Sequence, residues 1–323
     1  MKRIWITWEK HRRTIELASS LPGIKLFQLE SEARRIVRYA CLLLRTAAII
    51  FRQSPDLVIV QNPSVVLSFF LGALGRMTRF RVIVDSHNEG LTPFYSKHNW
   101  LMPIYRAIQK WASLTIVSNS GLATTVSENG GRPFMLEDKI PHFNSCNRIS
   151  LKGNHNVVFV CTFEKDEPYF EIIEAASMID SSVCLYITGR YEKAPHRIID
   201  EAPHNVVFTG FLSDQDYTDL LYSCDLIIDL TLIKDCLVCG AYEAVALAKP
   251  VILSDTEALR SYFSKGAVYT ENTPKEIAKA ITYALSNKER LTREMSLLKT
   301  ELEHDWNKKF SNLVALLDQL DKN

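Results

Sequence analysis

Two carboxylates eight residues apart, Asp235 and Glu243, lie between the apolar runs "DLIIDLT" and "PVILSD". Short runs rich in Leu, Ile and Val read as buried strands, so the acids stand in the loop after one strand and in the helix that leads to the next. A carboxylate is costly there unless something uses it as an acceptor. The helix start between them offers unsatisfied backbone N–H groups and a favourable dipole for an oxyanion. Hydroxyl acceptors on both sides of an oxyanion site suit a ligand that is polyhydroxylated and phosphorylated, as a nucleotide sugar is.

The surrounding sequence, "D…GAYEAVALAKPVI", resembles the acid-x7-acid motif of GT-B glycosyltransferases of the family 4 type. In those enzymes two glutamates usually precede a small-residue tail ending in Pro-Val-Ile. The resemblance implies that Asp235 meets sugar hydroxyls, that Glu243 meets the ribose, and that the backbone at Gly210 and Phe211 lies near the base. Asp235 is one methylene shorter than the usual residue. The family also clamps the diphosphate with cations after the first strand of this half. Here "TFEKDEP" offers Thr162 and Lys165, with Arg190 after "YITG" as a second cation. The "TF-x-x-DEP" form, with "HN" in "VDSHNEG", is similar to the β-mannosyltransferases that extend lipid-linked chitobiose. It implies hexose transfer from a UDP- or GDP-sugar to a lipid-linked or polysaccharide acceptor, with stereochemistry open.

No metal-binding acid motif is well placed in the sequence, so cations and helix N-termini are expected to stabilise the leaving diphosphate, with no cofactor. An inverting reaction also needs a general base. His87 directly follows the strand "RVIVD" and titrates near neutrality, which makes it the first candidate; Glu89 and Glu9 are the others. "TWEKHRR", after the first strand, puts His11, Arg12 and Arg13 toward the acceptor or the diphosphate, or into solvent.

The net charge of +1 hides an uneven distribution. Residues 1–150 hold 20 Lys+Arg and 10 Asp+Glu, a net +10, and the remaining 18 basic and 27 acidic residues give −9. Arg34, Arg35 and Arg38 open a long apolar helix pattern that continues through Arg45 and Arg52. Basic residues beside an apolar face favour an anionic membrane surface. No nucleic-acid signature accompanies them. The start of the sequence breaks its apolar run at Glu9, and no run reaches the ~20 residues needed to span a bilayer. The seven cysteines are odd in number and mostly lie in strand-like runs, as free thiols do; the one CxxC, Cys236–Cys239, lacks a second pair for zinc. The expectation is a cytoplasmic protein, peripheral on the inner membrane face.

What must position these residues is an alternation of strand and helix patterns, broken once by the aperiodic stretch 138–156. Two such series imply an α/β protein of the GT-B kind: two doubly wound Rossmann-like domains facing a central cleft, with C-terminal helices. The expected division is 1–150, acceptor-binding and membrane-facing, and 151–323, nucleotide-sugar-binding. Asn62 is expected to cap a helix with Pro63 in its first turn. Two alternatives keep this fold: a nucleotide-sugar 2-epimerase, or a degenerate non-catalytic partner subunit.

Overall fold

The computed structural model describes residues 2–62, 64–78, 80–92 and 99–322, so Pro63 lies outside the described residues. The chain divides into two compact units, Met1–Lys139 with Trp306–Asn323, and Ile140–Asp305. The division therefore falls near the start of the expected linker rather than at 150/151. The last residues join the first unit, because Trp306, Leu313 and Leu317 are buried in its core.

The first unit runs β1 (Arg3–Thr7), α1 (Arg12–Ser20), β2 (Ile24–Gln28), α2 (Arg35–Gln53), β3 (Leu57–Asn62), α3 (Val65–Met77), β4 (Arg81–Ser86), α4 (Asn88–Leu91), α5 (Met102–Trp111), β5 (Leu114–Val117), α6 (Ser120–Glu128) and β6 (Pro133–Met135). Its six strands are all parallel, in the order β2-β1-β3-β4-β5-β6. Strand side chains alternate between two cores. Ile4, Ile6, Val58 and Val60 pack with Leu42 of α2, Leu67 of α3 and Ile108 of α5. Trp5, Leu57, Ile59 and Ile83 pack with Leu17 of α1 and with the chain's last helix. Asn62 ends β3 instead of capping α3. Its Nδ2 donates to the Gly90 carbonyl at 2.6 Å, and Ser64 occupies the cap position.

The second unit runs β7 (His155–Phe159), α7 (Tyr169–Ala176), β8 (Val183–Thr188), α8 (His196–Asp200), β9 (Val206–Gly210), α9 (Asp214–Ser223), β10 (Leu226–Asp229), α10 (Cys239–Ala246), β11 (Val251–Ser254), α11 (Glu257–Tyr262), β12 (Ala267–Thr270) and α12 (Pro274–Ser286). Helix α13 (Lys288–Lys322) begins here and ends in the first unit. The sheet is again parallel, in the order β12-β11-β10-β7-β8-β9. The edge strands β6 and β12, three and four residues long, carry too little pattern to be read from sequence. Among the described residues no helix is long and apolar enough to cross a membrane. The cysteines are free thiols: Cys161, Cys184 and Cys224 are buried, while Cys239 is exposed at the start of α10.

Candidate functional site

Ligands of open parallel sheets bind beyond the strand carboxyl ends, where the winding changes direction. In the second unit that point lies between β7 and β10. The loop after β7 is tied down from within. The Glu167 carboxylate accepts from the Thr162 N–H at 2.9 Å, the Thr162 hydroxyl at 3.0 Å and the Glu164 N–H at 2.9 Å. The same turn holds the buried Phe163 at φ 60, a left-handed conformation uncommon for a side chain of this size. At the end of β8, Gly189 has φ 92, and a Cβ there would sit 2.1 Å from the Cys161 carbonyl oxygen. Only glycine lets the two loops approach this closely.

Around these loops lies a cavity of about 420 Å³, lined by Val160, Cys161, Thr162, Thr188, Gly189, Arg190, Lys193, Phe211, Leu212, Asp214 and Tyr217. The Arg190 guanidinium lies over the Phe211 ring, 5.1 Å from its centroid, and Phe211 is 75% exposed. Lys193 reaches Glu164 at 2.5 Å and the Thr162 carbonyl at 3.2 Å. Thr162, Arg190 and Phe211 thus line one cavity, with Gly210 adjacent to Phe211 in sequence and at φ 70. Lys165 is exposed and is not among the lining residues. Its neighbour Glu164 pairs with Lys193, which reaches this loop and the cavity wall from the loop after β8.

The acid pair is split. Asp235 is exposed between β10 and α10, outside the cavity lining, whereas Glu243 lies within α10 and accepts from the Tyr217 hydroxyl at 2.5 Å. Tyr217 lines the cavity, so it links Glu243 to that wall. Burial first, and the Glu243 charge second, push the Tyr217 phenol well above its ordinary range, keeping it a donor. At the end of β10, buried Asp229 accepts from the Gly240 N–H at 2.7 Å, and a Cβ at Gly240 would lie 2.7 Å from that same carboxylate oxygen. Burial raises the Asp229 pKa well above the carboxylate range; the Gly240 bond opposes this and the Glu167 charge adds to it. One amide of the helix start expected to hold an oxyanion is therefore taken by Asp229.

In the first unit the corresponding region, at the ends of β1, β3 and β4, is occupied by charge. Arg13 is buried, not solvated and not turned toward a ligand. Its guanidinium donates to Asp85 at 3.0–3.2 Å, to the Leu136 carbonyl at 2.8 Å and to Asp138. Burial works against these charges, but Asp85 and Asp138 hold the Arg13 pKa above its ordinary value, and Arg13 holds Asp138 below its own. Arg12, one residue earlier, is exposed and pairs with Glu16 at 3.0 Å. The His87 and His11 rings lie 5.0 Å apart, with His87 Nε2 and His11 Nδ1 both buried and lacking a hydrogen-bond partner among the described residues. Burial lowers the His87 pKa; Asp85 opposes that and Arg13 reinforces it. Glu9 and Glu89 are exposed nearby in sequence. Arg34 and Arg35 are exposed at the start of α2, with Arg38 partly buried one turn on. No cluster of three or more His, Cys, Asp or Glu side chains suited to a metal ion is found among the described residues.

Sequence reasoning missed Lys193, Tyr217, Asp229 and Asp85. The two aspartates had a signal, since each is an acid inside an apolar strand run. Lys193 and Tyr217 had none beyond lying after strands β8 and β9.

Residues 148–296 match the family described as glycosyl transferases group 1. Anabaena HepE, solved in complex with UDP-glucose, is 14% identical, with 97% of this chain and 99% of that chain covered at a TM-score of 0.78. Sucrose-phosphate synthase from Thermosynechococcus elongatus is 13% identical over the whole of both chains, at 0.81. A UDP-N-acetylglucosamine 2-epimerase from Listeria monocytogenes is 12% identical, with 91% and 90% covered, at 0.60. No curated protein sequence is a significant match.

Proposed function

We propose that the protein is a glycosyltransferase, built on the GT-B fold it shares with HepE and sucrose-phosphate synthase and matching glycosyl transferases group 1 over residues 148–296, and that it moves a hexose from a UDP- or GDP-sugar to a lipid-linked or polysaccharide acceptor, without a metal. The observation that carries this reading is the cavity beside β7, β8 and β9, with Arg190 and Lys193 on its wall and the Tyr217–Glu243 pair against it. The two cations hold the diphosphate and offset the charge that grows as it leaves. Phe211 and Gly210 border the base, Glu243 takes the ribose hydroxyls, and Asp235 the sugar. The UDP-glucose bound by HepE supports a nucleotide-sugar donor.

The first unit supplies the acceptor side. His87, neutral near pH 7 because burial lowers its pKa, receives the acceptor proton under inversion, with Glu89 and Glu9 as the other bases. His11 and Arg12 lie toward the acceptor. Arg34, Arg35 and Arg38 place the protein peripherally on the inner, cytoplasmic membrane face, where a lipid-linked acceptor resides.

Thermal shift with UDP, GDP and other nucleotides tests the donor site, since a ligand that binds only the native state stabilises it. One nucleoside diphosphate raises the melting temperature, and Glu243→Ala weakens its binding by about 1.5–3 kcal/mol while the unliganded melting point stays put. An undiminished nucleotide response in a folded Glu243→Ala protein would sink the donor assignment. Conversion of the nucleotide sugar to an epimer without acceptor would favour the epimerase instead.

A further inference from the structure

Helix α2 is apolar on the side that faces away from the protein. Leu42, Thr46 and Ile50 point into the core, and Val37, Leu44 and Phe51 lie on the far side, 60%, 73% and 75% exposed. Those three are spaced by seven residues, two turns, so they form one ridge with steps of about 10 Å along the axis. Arg38, Arg45 and Arg52 repeat at the same interval one residue on, and form a basic row along the ridge's flank. The helix contains no acidic residue.

The neighbouring helices repeat the pattern. α2, α3 and α5 pack on the same core of the first sheet, and their outward residues share its outer side. α3 exposes Val66, Phe69 and Met77 and carries Arg76; α5 carries Arg106 and Lys110. Neither contains an acid. An amphipathic helix of a soluble surface normally turns charge outward, so an outward ridge of Leu and Phe flanked only by arginine needs a covering that is apolar within and anionic at its edge.

We propose that the outer side of α2, continued by α3 and α5, is a docking face for an anionic lipid bilayer: Val37, Leu44 and Phe51 enter the acyl boundary and Arg38, Arg45 and Arg52 meet the phosphates. This deepens the peripheral-membrane reading, shifting its weight from the arginines opening α2 to an inserted ridge along its whole length. A second copy of the chain fits the face poorly, because it brings another acid-free surface against this one. A nucleic acid leaves the ridge in water.

Sedimentation with phosphatidylglycerol/phosphatidylcholine vesicles, without nucleotide or acceptor, tests the proposal separately from glycosyl transfer. Wild-type protein pellets with these vesicles and much less with phosphatidylcholine alone. Arg45→Gln with Arg52→Gln weakens binding about 30-fold at low salt, on ~1 kcal/mol per charge, and little at high salt. Leu44→Ser with Phe51→Ser weakens it more than about tenfold at both salts, because lost burial is not screened. Circular dichroism reports folding, and Leu44→Gln and Phe51→Gln singly give the same direction should the double variant not fold. Wild-type protein left in the supernatant at low salt overturns the proposal, as does a Leu44/Phe51 variant that binds like wild type. A concentration-dependent dimer that Leu44→Gln dissociates makes the face a self-association surface and overturns it equally. Nucleotide-induced stabilisation is unchanged in every one of these variants, so a failed docking face leaves the donor site standing.

Discussion

Two buried aspartates stand at strand carboxyl ends, one in each unit, and the protein neutralises them in different ways. Asp85, in β4, meets Arg13 across three contacts of 3.0–3.2 Å. Asp229, ending β10, accepts from the Gly240 N–H at 2.7 Å, and burial raises its pKa well above the ordinary value. The first solution fills the space beyond the sheet with a closed ion network that includes Asp138 and Leu136. The second takes up one amide and leaves room for a cavity whose cations sit at its wall. Closing a crevice with charge makes a rigid platform for the histidines above it. A buried acid whose pKa is raised puts less negative charge at the other crevice, which suits the anionic ligand proposed there.

Under the proposed function, chemistry belongs to the first unit and donor binding to the second. His87→Ala therefore produces the largest change: turnover falls about 10²- to 10⁴-fold with nucleotide affinity unchanged, in steady-state assays. Near-normal turnover would move the base to Glu89 or Glu9. Arg13→Met comes next, because it strands Asp85 as an unpaired buried charge; urea denaturation should show a loss of about 3–5 kcal/mol. A loss below about 1 kcal/mol would mean the network is not closed.

Lys193→Met probes the open crevice. Nucleotide binding by calorimetry weakens by about 1.5–3 kcal/mol, whereas the unliganded melting point hardly moves, since Lys193 is exposed. Lys165→Met does neither. Equal effects of the two would return Lys165 to the clamp.

The smallest effect is the most diagnostic of the two neutralisation schemes. Asp229 has a raised pKa in the fold, so its contribution to stability is complete below the unfolded value near pH 3.8 and is lost as pH rises through the folded value. Asp229→Asn keeps an acceptor for Gly240 and removes that decline. The variant should lie within about 1 kcal/mol of wild type below pH 3.8 and gain on it as pH rises above that value. His87 runs the other way: its lowered pKa means stability present above about pH 6.5 and lost as pH falls. His87→Gln should flatten the acid limb. An Asp229→Asn melting curve that tracks wild type at every pH would show that the acid is not held protonated.

The strands were legible because buried parallel strands are continuous apolar runs, and ten of them read directly as such. The acid-x7-acid resemblance led to Glu243 and to Arg190, Gly210 and Phe211. It could not find Lys193, because the cation that serves the loop after β7 comes from the loop after β8. Nor could it tell Arg12 from Arg13. The two are adjacent and alike, and only the distant Asp85 and Asp138 decide that one is solvated and the other buried. The outward ridge of α2 was hidden for a similar reason. A helix apolar on most of its circumference does not reveal which side the sheet covers.

The return of α13 to the first unit also has a consequence for biosynthesis. Trp306, Leu313 and Leu317 complete the core that covers Trp5, Ile59 and Ile83. A ribosome delivers the first sheet early and its lid last, after the whole of Ile140–Asp305. At ~5–20 residues per second that interval is on the order of ten seconds or more. During it one side of the nascent first sheet is covered by α1 without Trp306, Leu313 and Leu317, and the second unit is free to fold before the first has finished. The order of synthesis and the order of completion are thus reversed, and a nascent chain paused near residue 305 would be the species most exposed to chaperones.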